Sequence, residues 1–148
     1  MRALITGGAG FIGSHLADRL LERGDQVLLL DDLSTGRLSN IAHLEGDPDC
    51  EFVLGSVLNV DLVDHVVSRV DVIFHLAAAV GVNLIVEKPL ESLMTNIRGT
   101  ETVIEKAHKY GKRILVTSTS EIYGKNTSDR LSEDDDRILG SPLKSRWS

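Results

Sequence analysis

Thr6-Gly7-Gly8-Ala9-Gly10-Phe11-Ile12-Gly13 is the stretch on which the reading of this chain turns. It follows the apolar run Ala3-Leu4-Ile5 and opens a segment of helical period, the position of the first crossover in a βαβ unit. Glycines at 7, 10 and 13 allow a tight turn, let backbone N–H groups approach a pyrophosphate, and let the helix pack close to its strand. The helix behind such a turn carries unpaired donors and partial positive charge, which suit an anion. A dinucleotide site is expected there.

Outward from that turn, short apolar runs alternate with segments of helical period. A helix over residues 11–22 places Ile12, Leu16 and Leu20 on one stripe, and Gly24 suits its end. The continuous apolar run 27–30 reads as a strand covered on both faces. Residues 51–54 read as strand three, and a helix over 57–67 follows with Leu58, Leu62 and Val66 in line. Strand four falls at 72–75. The longest helix spans 89–110, opened by Pro89, with Leu93, Ile97, Thr100, Ile104 and Ala107 recurring at near-helical spacing. Strand five covers 113–117, and residues 125–148 are polar and turn-rich around Glu133-Asp134-Asp135-Asp136. The alternation predicts an α/β fold: a Rossmann-type doubly wound parallel sheet of order 3-2-1-4-5, binding ligands beyond the C-terminal ends of its strands.

Composition narrows the function classes. The 148 residues suffice for one domain, taken as a dinucleotide-binding unit over 1–148. With 22 acidic and 16 basic residues the net charge is −6, which argues against a nucleic-acid or membrane-surface binder. The lone Cys50 cannot form an internal disulfide. The five histidines share no ligand spacing, so no metal site is expected. The chain enters a strand without a signal-like segment, and no apolar run reaches the ~18 residues of a membrane helix. A cytoplasmic location is the expectation.

Asp31 ends strand two, 18 residues after Gly13, close to the ~20 typical of the acidic residue that bonds ribose hydroxyls. A carboxylate there repels a 2′-phosphate and favours NAD over NADP. Asp32 is a second candidate for the same role.

Three motifs, Thr6 to Gly13, Asp31-Asp32-Leu33-Ser34-Thr35-Gly36 and Ser118-Thr119-Ser120-Glu121-Ile122-Tyr123-Gly124, resemble the extended short-chain dehydrogenase/reductases. Within that group the chain is similar to the NAD-dependent nucleotide-sugar epimerases, dehydratases and decarboxylases. The resemblance implies a bound NAD that oxidises a sugar carbon and later returns the hydride, and a nucleotide-sugar substrate, with a UDP-sugar favoured. It assigns cofactor contacts to Gly7, Gly10, Phe11, Ile12, Gly13, Asp31, Asp32, Ser56, Val57, Leu76, Ala77, Ala78 and Thr117. Ser56 replaces the acidic residue that many relatives use on the adenine amino group. Carried over by position, Thr119 bonds the sugar oxygen that becomes a carbonyl, and Glu121 aligns with an acid/base carboxylate. Ser120 stands where some dehydratases carry an aspartate. Asn96 aligns with a polar residue that contacts the loops beneath the cofactor. Homodimers built through long helices, of which residues 89–110 supply one, are implied as well.

The catalytic tyrosine and lysine of the resembled family lie in Y-x-x-x-K, but Tyr110 and Tyr123 are not followed by lysine four residues on. Residues 142–148 (Pro-Leu-Lys-Ser-Arg-Trp-Ser) resemble the stretch before that motif in the UDP-glucuronate decarboxylase branch. The resemblance therefore implies a sheet that stops before the later strands and a chain lacking its general base, at a typical cost of ~10²–10⁴-fold. Inactivity of this chain alone is the expectation, and a non-catalytic dinucleotide-binding module is the alternative.

Overall fold

Aliphatic side chains occupy both faces of the two central strands, which places those strands inside the sheet. β1 (Arg2–Thr6) directs Leu4 to one face and Ala3 and Ile5 to the other. β2 (Gln26–Asp31) divides Leu28 and Leu30 from Val27 and Leu29 in the same way. The computed structural model describes residues 1–79, 87–127 and 129–138. With β3 (Cys50–Leu54), β4 (Val72–His75) and β5 (Arg113–Val116), the five strands are parallel and ordered β3-β2-β1-β4-β5. This is the Rossmann-type doubly wound sheet that the sequence predicts. Thr6 stands in register with Leu30 on one side and His75 on the other, so β1 and β4 end at a common level and β2 runs one residue further, to Asp31.

α1 (Phe11–Glu22) covers one face of the sheet. Its buried residues are Gly13, Ser14, Ala17 and Leu20, whereas Ile12, expected on the core stripe, is exposed. α2 (Val60–Ser68) and α3 (Pro89–Lys109) cover the other face. α2 starts later than expected because Asn59 caps it, its Oδ1 accepting the Leu62 N–H at 3.1 Å. Leu58 consequently precedes the helix, exposed, and Val63, Val66 and Val67 form the buried stripe.

The long helix is turned relative to its expected stripe. Ser92, Gly99, Thr102, Val103 and Ala107 face inward, while Leu93, Ile97 and Ile104 are exposed. Close packing explains the inversion: a Cβ at Gly99 would stand 2.6 Å from Val57 Cγ2, so α3 sits on its neighbours through its smallest residues.

By its internal contacts the chain divides into two compact units, Met1–Val116 and Thr117–Ser148. In the second, a 3-10 turn over Ser120–Tyr123 precedes Gly124, which bridges to Ile138. Thr117 falls in this unit and outside β5. Residues 139–148, with the tail quoted above, lie outside the described residues. Among the described residues no helix is long and apolar enough to cross a membrane.

Candidate functional site

Four amides of the glycine turn have acceptors within the protein. Gly7 and Gly8 N–H donate to Leu30 O at 2.8 and 3.4 Å, Ala9 N–H to Asp31 Oδ2 at 2.9 Å, and Gly10 N–H to Gly7 O at 3.1 Å. The donors left for a ligand are the first-turn amides of α1, those of Phe11, Ile12 and Gly13, which have no intrahelical acceptor. The Phe11 and Ile12 side chains are 77% and 65% exposed, so this helix end opens outward. No acidic residue in the first turn competes for it.

Two glycines are sterically required. Gly7 has φ +73, and a Cβ there would lie 2.9 Å from Ala77 N. A Cβ at Gly13 would drive into the Gly7 carbonyl oxygen, so α1 meets the turn at backbone contact. The turn and the helix end thus form a cradle whose unpaired amides are donors of the kind an anion takes.

Asp31 is buried, and its carboxylate joins two segments. Oδ2 accepts from Ala9 N–H and Oδ1 from Leu33 N–H at 2.8 Å. A carboxylate has about four lone-pair sites, so both oxygens retain capacity for ribose hydroxyls. Asp32 is exposed and its Oδ1 accepts the Ser34 N–H at 3.0 Å. Partial burial acts to raise its pKa and is outweighed by hydrogen bonds from Ser34 and Ser56, which hold it below the ordinary carboxylate value. Ser56, expected to meet an adenine, therefore also bears on Asp32. Val57 is buried against α3, so its side chain belongs to the core and only its backbone can face a ligand.

Two residues that the sequence reading missed fix the turn from its far side. Ala9 O accepts from Asn40 Nδ2 at 2.8 Å and from Arg37 N–H at 3.0 Å. No local period connects them to the glycines; they reach the turn only once the connection from β2 to β3 has folded back.

The loop after β4 carries the other expected contacts. Leu76 packs into the α1-side core, Ala77 into the opposite one, and Ala78 is exposed. Asn96 grips the following residue from α3, its Oδ1 accepting Ala79 N–H at 2.7 Å and its Nδ2 donating to Ala79 O at 3.4 Å. In the second unit Thr117, Thr119 and Glu121 are exposed. The Thr119 hydroxyl oxygen caps the 3-10 turn by accepting Glu121 N–H at 3.2 Å, which leaves its proton for another acceptor. Among the described residues no group of three or more His, Cys, Asp or Glu is arranged to hold a metal.

The family profile described as GDP-mannose 4,6 dehydratase matches residues 4–142. The chain belongs to that family. It is 44% identical, over 147 residues, to the UDP-N-acetyl-alpha-D-glucosaminuronate decarboxylase of Bacillus cytotoxicus, covering 99% of this chain and 45% of that protein. It is 40% identical to UDP-glucuronic acid decarboxylase 1 of Arabidopsis thaliana, over 84% of this chain and 27% of that one. A dTDP-glucose 4,6-dehydratase from Streptomyces venezuelae, crystallised with NAD and TYD bound, superposes with a TM-score of 0.86 at 35% identity. That match covers 96% of this chain and 47% of the dehydratase. The chain thus spans less than half the length of these family members.

Proposed function

We propose that this chain is the NAD-binding part of a nucleotide-sugar enzyme that acts by transient oxidation at sugar C4. The observation that carries the reading is the outward-facing helix end of Phe11, Ile12 and Gly13, three free amides beside the buried carboxylate of Asp31. Those amides would take the diphosphate, and Asp31 and Asp32 the ribose hydroxyls, a pairing that disfavours a 2′-phosphate. When bound, NAD would accept the hydride from the sugar carbon. Thr119 would donate to the sugar oxygen that becomes a carbonyl, and Glu121 would exchange protons with the substrate. A UDP-sugar substrate and a decarboxylase or epimerase outcome fit the 44% identity to a UDP-sugar acid decarboxylase. Turnover also needs a base for the sugar hydroxyl. No Tyr-x-x-x-Lys pair stands in this sequence, so the chain alone binds NAD without converting a sugar.

A homodimer through α3 belongs to the same proposal. Leu90, Leu93, Ile97 and Ile104 form an apolar stripe along one side of that helix, with Leu90 70% exposed. A second copy would cover it.

Calorimetry with NAD on the unsubstituted chain and on Phe11→Asp tests the cofactor site. Asp in an empty first turn favours the helix by about 0.3–1 kcal/mol yet repels a diphosphate at that end. The expected result is an unchanged or higher Tm with affinity lowered about tenfold or more. Equal affinity of the two chains, or no binding by a folded unsubstituted chain, would overturn the reading.

A further inference from the structure

His75 ends β4 in register with Thr6 and is buried. Its Nδ1 lies 2.8 Å from Thr6 Oγ1, and its Nε2 lies 3.1 Å from Thr100 Oγ1 on α3. Thr6 Oγ1, fully buried, also accepts two backbone amides at 3.2 Å, that of Ala77 and that of Leu76, the latter shared with the Thr6 carbonyl oxygen at the same distance. A hydroxyl oxygen has two acceptor sites, and both are taken. The third contact must then be its own O–H, donated to His75 Nδ1. This leaves the proton of the neutral ring on Nε2, from which it is donated to Thr100.

We propose that His75 is a positioning residue for the dinucleotide, held as the neutral Nε2–H tautomer so that Thr6 fixes the Leu76 and Ala77 peptides against the glycine turn. The geometry of that turn makes the connection direct, since Gly7 touches Ala77 N so closely that no side chain fits between them. A proton added at Nδ1 would give Thr6 Oγ1 a third donor and no acceptor for its own hydrogen. The Ala77 N–H would be displaced from Thr6 Oγ1, or the Leu76 N–H would be left with the Thr6 carbonyl oxygen alone, and the floor of the cradle would shift. Burial favours the same state, holding the imidazole pKa below its ordinary value. Arg2 of β1 bonds Glu51, and Arg113 is exposed at the opposite end of β5. On α3, Glu91 pairs with Lys88 and both Lys106 and Lys109 pair with Asp64. Arg98 and Glu101 line a groove with Leu58, and Glu105 and His108 are exposed.

The proposal rests on the dinucleotide reading above, and one experiment separates the two. The full 148-residue chain, labelled with 15N-histidine, is titrated with acid while long-range 1H–15N spectra report each ring, with and without saturating NAD. At neutral pH His75 is expected to be uncharged with its proton on Nε2. If only the neutral ring supports the cradle, bound NAD must lower the pH at which His75 titrates, because linkage is reciprocal. The negative charge of a diphosphate acting alone would raise it. A charged ring, an Nδ1–H tautomer, or a midpoint unmoved or raised by NAD would overturn the positioning role. Thr6→Val is expected to weaken NAD about tenfold, with Thr6→Ser restoring it. Full affinity in Thr6→Val would also overturn the role, whereas an unsubstituted chain indifferent to NAD would remove the dinucleotide reading beneath it.

Discussion

Asp31 has to be at once a buried structural acceptor and a candidate ligand contact. Its two oxygens each receive a backbone N–H, one from Ala9 in the glycine turn and one from Leu33 in its own loop. Replacement by Asn keeps the volume but turns an NH2 group toward one of those donors. Bonds to a charged acceptor contribute about 1.5–3 kcal/mol each, so Asp31→Asn is expected to lose about 2 kcal/mol. Urea unfolding would show this, and calorimetry would show weaker NAD binding beside it. Phe11→Asp should weaken binding with no loss of stability. Comparing the two variants separates a residue that builds the cradle from one that merely borders it. The place of Asp31 at the end of strand two was legible, because the apolar run before it marks that strand. Its bond to Ala9 was not, and neither were those from Asn40 and Arg37, because each spans 22 residues or more of chain.

At the scale of elements, α2 and α3 are joined by a cluster centred on Asp64. Lys109 Nζ and Lys106 Nζ lie 2.7 and 3.3 Å from Oδ1, and the Tyr110 hydroxyl donates to Oδ2 at 2.8 Å. The hydrogen bond from Lys109 is the largest cause, followed by that from Tyr110, and the carboxyl is drawn from 3.8 to about 2. A carboxyl that binds its proton less readily when folded stabilises fully above its unfolded pKa and loses that contribution as pH falls toward the folded one. The stability gap between the native chain and Asp64→Asn should therefore be constant above about pH 4 and close as pH falls from 3.8 to about 2. Thermal melts of both chains across that range would measure it. The periodicity of α3 made its length legible but misassigned its faces. A helix is ordinarily read with its large aliphatics inward, and here Gly99 and Ser92 lie on that side, Gly99 because contact with Val57 leaves room for nothing larger. α2 was misjudged for a different reason: it starts at Val60, after its Asn59 cap, and not at residue 57.

For the whole molecule, the strand order and both faces of the sheet followed from sequence because alternation of short apolar runs with helices admits few topologies. What the alternation could not indicate is where apolar surface remains. Leu93, Ile97 and Ile104 are 54%, 56% and 44% exposed along one side of α3, although the helix has a complete core-facing side of its own. Such a stripe contributes little to the stability of a single chain, so polar substitution there should be nearly neutral for folding. If a second copy covers it, the same substitution places charge in an apolar contact, which is costly without a partner. Leu93→Glu combined with Ile97→Glu is therefore expected to leave the Tm of the dilute chain within a few degrees of the native value. In sedimentation equilibrium the native chain should associate with concentration and the double variant should remain monomeric. Equal association of both chains would place any contact between copies on another surface, and a large fall in Tm would show that the stripe serves the fold of each chain instead.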